Sequence, residues 1–132
     1  MRGSIYDGGD RDDAREMSFD LVPTDEVREL GIPSVIDRIL RRTGGAKVYV
    51  SFDVDFVDPA YAPGTGTPEI GGFTSREAQV FVRGLAGLQI VGCDVVEVYP
   101  AYDHAQITAL LAANVAHEFL SLLAFSKKTG SM

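Results

Sequence analysis

Two apolar runs, Lys47 to Asp53 and Leu88 to Val98, constrain this chain more than any other feature. The first carries Val48, Tyr49, Val50 and Phe52; the second carries Ile90, Val91, Val95, Val96 and Val98. Such continuously apolar runs predict strands buried on both faces, which is the habit of parallel sheets. Parallel strands need a crossover, usually a helix, and helical signals stand where crossovers are required. Thr24 predicts the cap of a helix whose first turn holds Asp25 and Glu26, with Gly31 after its end. Pro33 opens the next helix, in which Val35, Ile36, Ile39 and Leu40 recur at helical spacing until Gly44-Gly45. Thr74 and Glu77 have capping-box spacing for a helix running to about Gly84. Asp103 predicts the cap of a long last helix with Ile107, Leu110, Leu111, Val115, Phe119, Leu122 and Leu123 on its apolar face. Residues 1–17 read as a polar loop with one short helical turn, Phe19 to Val22 as a short strand, and the last seven residues as a frayed tail. Helix, strand, helix, strand, helix is an α/β pattern, and the 132 residues fit one unit without a linker or repeat.

The first apolar run ends in an unusual way. Residues 51–59 read S-F-D-V-D-F-V-D-P, with Asp53, Asp55 and Asp58 close together. Carboxylates crowded beside an apolar layer repel one another and are costly to desolvate. Asp53 and Asp55 are two apart, so on an extended strand they face the same side. A shared proton or a shared cation stabilises such a pair, and a bridging pair suits two hard metal ions ~3.5–4 Å apart. The alternative is an Asp-Pro turn before Pro59, and Asp58 is best read as a turn residue. Ligands in parallel sheets bind at the carboxyl ends of the strands, where Asp53, Asp55 and Glu97 all fall. A carboxylate at position 97 suits a planar guanidinium, bound bidentately, or simply faces solvent.

Other features narrow the function. The net charge of −7 excludes a basic nucleic-acid footprint and suits a cationic ligand. The loop P-G-T-G-T-P-E-I-G-G, residues 63–72, matches neither a Walker A segment nor a dinucleotide fingerprint. Its small residues instead allow a close backbone path near a site. A nucleotide-binding reading therefore has no support. The single cysteine, Cys93, lies in an apolar run and reads as a buried, inert thiol. No apolar stretch approaches the ~20 residues of a membrane span, and the start lacks a signal-peptide core. These features predict a cytoplasmic or organellar-matrix protein without a membrane partner. His104 and His117 are not spaced as a local metal motif and read as packing or surface residues.

Taken together, S-F-D-V-D-F-V-D-P-A-Y-A-P-G-T-G-T-P-E-I-G-G-F-T-S-R-E and G-C-D-V-V-E-V-Y-P-A-Y-D resemble the ureohydrolase family of arginases, agmatinases, guanidinobutyrases and formiminoglutamases. The segment P-G-T-G-T-P-E resembles the agmatinase branch more than the arginase branch, which usually has alanine where Gly64 stands. The resemblance implies a three-layer α/β/α sandwich around a mainly parallel sheet. It implies two manganese ions and hydrolysis of a guanidinium substrate, most simply agmatine to putrescine and urea. By match to the motif, Asp53 and Asp55 are the expected metal ligands and catalytic residues, with Asp53 the bridge, and Glu97 is expected to hold the guanidinium. The opening R-G-S-I-Y-D resembles the family segment that enters the substrate region.

Family members are longer, and their earlier half carries G-G-D-H and D-A-H-x-D segments that supply the remaining ligands. Neither occurs here: Gly8-Gly9-Asp10 is followed by Arg11. The chain thus resembles the C-terminal half of an agmatinase, carrying part of the active site. Two aspartates alone make a weak site for two manganese ions. Weak or absent activity of the chain alone is expected, and so is a homo-oligomer, because a missing half exposes a sheet edge and apolar helix faces. Three readings stay open: a guanidinium hydrolase acting on agmatine, one acting on guanidinobutyrate or a related guanidine, and a non-catalytic α/β module complemented by a separate N-terminal half.

Overall fold

A computed structural model describes residues 9–129. The described elements are α1 (Asp10–Glu16), α2 (Thr24–Leu30), α3 (Ile32–Thr43), β1 (Lys47–Asp53), α4 (Ser75–Gly84), β2 (Gln89–Val96) and α5 (Ile107–Thr129), with short 3-10 turns at Val54–Phe56 and Pro100–Tyr102. β1 and β2 pair in parallel, from Lys47 opposite Gln89 to Asp53 opposite Val96, with an irregularity between Val48 and Tyr49. The α/β class and the parallel pairing are those the apolar runs predict.

The main core lies between this sheet and two helices. Phe52, Val54, Val57 and Ala62 meet Ala78 and Val82 of α4 and Leu111, Val115 and Phe119 of α5. Arg83 of α4 and Glu118 of α5 pair at 2.5 Å on the rim of that contact. A second cluster packs Val27 of α2, Val35 of α3 and Phe73, with Phe56 stacked on Phe73 at 4.3 Å. α3 approaches α4 so closely that a Cβ at Gly84 has no room beside Ile36. The opposite sheet face is less covered among the described residues, since Tyr49 and Val91 are each 62% exposed. On that face Asp94 accepts the Tyr49 hydroxyl at 2.8 Å, and the Ser51 and Tyr49 hydroxyls hold its pKa below the ordinary value.

Several local expectations hold for their stated reasons. Thr74 accepts the Glu77 amide at 3.1 Å, and Glu77 accepts the Thr74 amide at 2.7 Å, which completes a capping box. Gly44 ends α3 in the left-handed conformation that favours glycine. Other expectations change. Phe19–Val22 forms no strand: the Phe19 amide closes α1 by donating to Ala14, and no neighbouring strand offers a ladder among the described residues. The region before it holds a seven-residue helix, α1, with Asp10, Asp12 and Asp13 in its first turn, rather than a single turn. Thr24 lies inside α2, and Pro23 is the cap, with no side-chain bond to the helix. β2 ends at Val96 and not at Val98. On α5, Ile107 is exposed and Leu110 is 73% exposed; the buried stripe starts at Leu111. Cys93 is half-buried against the main core, not fully enclosed. Ile107–Lys127 is a helical stretch long and apolar enough to cross a membrane, contrary to the sequence reading. Its Leu111, Val115 and Phe119 are buried in the main core with α4, while Ile107, Leu110, Leu120 and Phe125 are exposed.

Candidate active site

The parallel register decides where the carboxylates lie. Asp53 is the last residue of β1 and stands opposite Val96, the last residue of β2. Glu97 follows Val96 directly, so Asp53, Asp55 and Glu97 share the carboxyl edge of the sheet. Both chain segments leave the sheet in unusual ways. Asp53 accepts the amide of Asp55 at 2.8 Å, and this bond caps the 3-10 turn that begins at Val54. Glu97 has φ +64°, a left-handed conformation uncommon for a side chain larger than glycine. Such backbone strain concentrates at functional positions, where the surrounding structure holds it in place.

The turn changes one expectation. Asp55 is in the 3-10 turn and not on the strand, so the two-residue strand period does not place it beside Asp53. Its carboxylate meets the glycine loop instead, accepting hydroxyls from both Thr65 and Thr67. Spacing alone could not reveal these threonines. The alternation T-G-T was the sole signal, and it read as loop composition. Asp58 behaves as a turn residue, accepting the amides of Ala60 at 2.9 Å and Gly71 at 2.8 Å.

The glycine loop is held from several sides. Arg28 of α2 donates to the carbonyls of Gly71 at 3.1 Å and Gly72 at 2.9 Å while lying over the Phe73 ring. A Cβ at Gly72 would come within 2.5 Å of the Asp58 nitrogen, so only glycine fits there without a shift. Gly64 is buried and donates its amide to Thr108 Oγ1 at 2.7 Å, while its carbonyl accepts the Tyr99 amide at 2.8 Å. Asp103 accepts the amides of Thr108 and Ala109, each at 2.9 Å, and thereby caps α5 as the sequence predicts. Burial pushes the Asp103 carboxyl up, but these amides and the Thr108 hydroxyl outweigh it and leave the pKa below the ordinary value.

Donor chemistry bears on the expected manganese. Asp53 and Asp55 offer carboxylate oxygens, the right kind of donor for a hard divalent ion. Among the described residues, no group of three or more His, Cys, Asp or Glu is placed to hold a metal. The donors therefore fit in kind and supply part of a site rather than a closed one. His104 and His117 are both exposed and do not join the carboxylates. The opening R-G-S-I-Y-D lies outside the described residues.

Known proteins resemble this chain in sequence and in fold. A guanidinopropionase of Pseudomonas aeruginosa is 51% identical over 126 residues, which is 96% of this chain and 40% of that protein. The solved structure of a proclavaminate amidino hydrolase from Streptomyces clavuligerus superposes with a TM-score of 0.84 at 44% identity, over 92% of this chain and 40% of its own. That of a hypothetical agmatinase from Burkholderia thailandensis gives 0.81 at 45% identity, over 85% of this chain and 36% of its own. The chain thus spans about two-fifths of the length of the relatives it matches, as expected for a portion of the family domain. The arginase family model matches residues 1–121. On its sequence and its fold, this chain belongs to the arginase family.

Proposed function

We propose that this chain is the carboxylate-bearing part of a manganese-dependent amidinohydrolase that releases urea from a small guanidinium compound, most simply agmatine. The observation that carries the reading is the placement of Asp53, Asp55 and Glu97 on one carboxyl edge of a parallel sheet. Asp53 and Asp55 would hold manganese, which when bound lowers the pKa of water and polarises the substrate. Glu97 would accept paired N–H bonds from the guanidinium and set the carbon at a fixed distance from the metal ligands. The net charge of −7 favours approach of a cation. The names of the relatives support the substrate class and leave the tail group open among agmatine, guanidinobutyrate and guanidinopropionate.

Among the described residues no group of three or more ligating side chains is placed to hold a metal, which supports weak or absent activity for the chain alone. The missing ligands would come from a complementary half of the family domain. Exposed Tyr49, Val91 and Leu110 favour self-association when that half is absent. The proposed setting is cytoplasmic, with neither nucleic acid nor a membrane as partner. The test is urea release from agmatine by the purified chain, with excess Mn²⁺ and with a chelator. The reading expects little or no turnover, together with amide shifts at Glu97 on adding agmatine that vanish in Glu97→Gln. Rapid metal-dependent turnover would overturn the half-site. Identical agmatine shifts in Glu97→Gln would overturn the role given to Glu97.

A further inference from the structure

We infer that Thr65 and Thr67 are positioning residues that fix the Asp55 carboxylate in one orientation. The inference rests on the proposed reading only in what the orientation serves, a divalent cation. Thr65 is 1% exposed, and with Thr108 it is one of two buried polar side chains among the described residues. A buried hydroxyl needs a partner, and Thr65 gives its proton to Asp55 Oδ1. Thr67 gives its proton to the other oxygen, Oδ2. One hydrogen bond to a carboxylate still permits rotation about Cβ–Cγ. Two bonds to different oxygens, from residues two apart on one loop, fix the plane of the group as well as its direction. A carboxylate has about four lone-pair sites, so accepting two hydroxyls does not by itself exhaust it.

The positions of the threonines are themselves determined. Gly66 between them is open, and a Cβ there would meet nothing within 4 Å, so the tripeptide T-G-T is not fixed by packing at its centre. Its anchor is one residue earlier. Gly64 is tied to Thr108 at the start of α5 and to Tyr99, two residues after Glu97. Asp103 in turn caps the helix through the Thr108 amide. A continuous path of hydrogen-bonded and adjacent residues thus joins Asp103, Thr108, Gly64, Thr65 and Asp55. The segment that presents Glu97 and the turn that presents Asp55 are held in register by this path. Partners that orient a metal ligand typically change metal affinity by about 10–100-fold when removed.

The test uses the whole chain. Side-chain coupling constants of Asp55, measured by NMR without metal, report its rotamer distribution. They are compared in the wild type, Thr65→Ser, Thr67→Val and the double variant Thr65→Val/Thr67→Val. Mn²⁺ affinity is followed in parallel by the electron paramagnetic resonance signal of the free ion, with Asp55→Ala as reference. The expected result is a single Asp55 rotamer in the wild type and in Thr65→Ser, averaging in the double variant, and a fall in Mn²⁺ affinity of about 10–100-fold. Thr67 is exposed, so Thr67→Val gives a folded variant even if the buried substitution does not. A single, unchanged Asp55 rotamer in Thr67→Val and in the double variant would overturn the inference. Averaging at Asp55 together with unaltered Mn²⁺ affinity in Asp55→Ala would support the positioning and remove Asp55 from the metal site.

Discussion

The amide of Gly64 donates to the buried hydroxyl of Thr108 at 2.7 Å, across 44 residues of sequence. This bond fastens the glycine loop beside β1 to the start of α5, the helix that follows β2. Loops carry most site residues but rarely bury their own backbone, so a buried loop amide needs a dedicated acceptor. Thr108→Val keeps the volume and removes the acceptor. It should destabilise the chain by about 1–3 kcal/mol, the usual cost of a buried polar group left unpaired. Urea unfolding measures this as a lower midpoint at constant slope, and Thr108→Ser should recover most of it.

Gly64 and Gly66 should respond very differently to alanine. A Cβ at Gly64 would lie 2.5 Å from Asp103 Cβ and 2.9 Å from its Cα, whereas Gly66 has nothing within 4 Å. Gly64→Ala therefore pushes on the residue that caps α5 and should cost about 1–3 kcal/mol. Gly66→Ala should stay within about 0.5 kcal/mol. Thermal unfolding of both variants compares them directly.

The chain should lose stability on the acid side in a predictable way. The pKa of Asp103 lies below its ordinary value of 3.8, and those of Glu77 and Glu118 below their ordinary value of 4.5. A lowered folded pKa means that the unfolded chain binds protons more readily. The associated stability is present above the ordinary values and is lost as pH falls through the lowered ones. Asp103→Ala should be less stable than the wild type at pH 7, and the difference should close as pH drops below about 3.8. Unfolding midpoints across pH 2–7 check the sign; a gap that widens toward acid would reverse it.

Much of the fold was legible because it follows from short-range chemistry. The capping box at Thr74 and Glu77, the Gly44 stop and the Asp103 cap each depend on residues within a few positions. The two strands showed through their continuously apolar sequence, but the burial on both faces that it predicts is not met: β1 alternates, with Tyr49 and Ser51 exposed on one face and Phe52 buried on the other. The same local logic failed at Phe19–Val22, where a strand pattern had no neighbour to pair with among the described residues. It also failed at Asp55, where a hydrogen bond from its amide to Asp53 starts a turn and ends the strand period. The three carboxylates of the site were visible as a cluster at strand ends. Thr65 and Thr67 were not, because their roles arise from a loop folding back over ten and twelve residues.

Asp53 and Asp58 should separate metal binding from turn stability. Asp58 supports the turn through the amides of Ala60 and Gly71, so Asp58→Ala should lower stability by about 1–2 kcal/mol while leaving Mn²⁺ binding intact. Asp53→Ala should lose Mn²⁺ binding, and in a complemented enzyme it should lose manganese-dependent activity. Equal loss of bound metal in the two variants would contradict the division of roles. Calorimetric titration with Mn²⁺ alongside urea unfolding distinguishes them.

The central claim is that the carboxyl edge of this two-stranded sheet is a cation site. Paramagnetic broadening of backbone amides by trace Mn²⁺ tests it most directly, because the effect falls steeply with distance. The account predicts that Asp53, Val54, Asp55 and Thr65 broaden first, and that Asp53→Ala and Asp55→Ala abolish the effect there. The acidic first turn of α1, with Asp10, Asp12 and Asp13, is the natural control for simple charge attraction. Broadening centred on α1, or spread evenly over the acidic surface and unchanged in Asp53→Ala, would contradict the account.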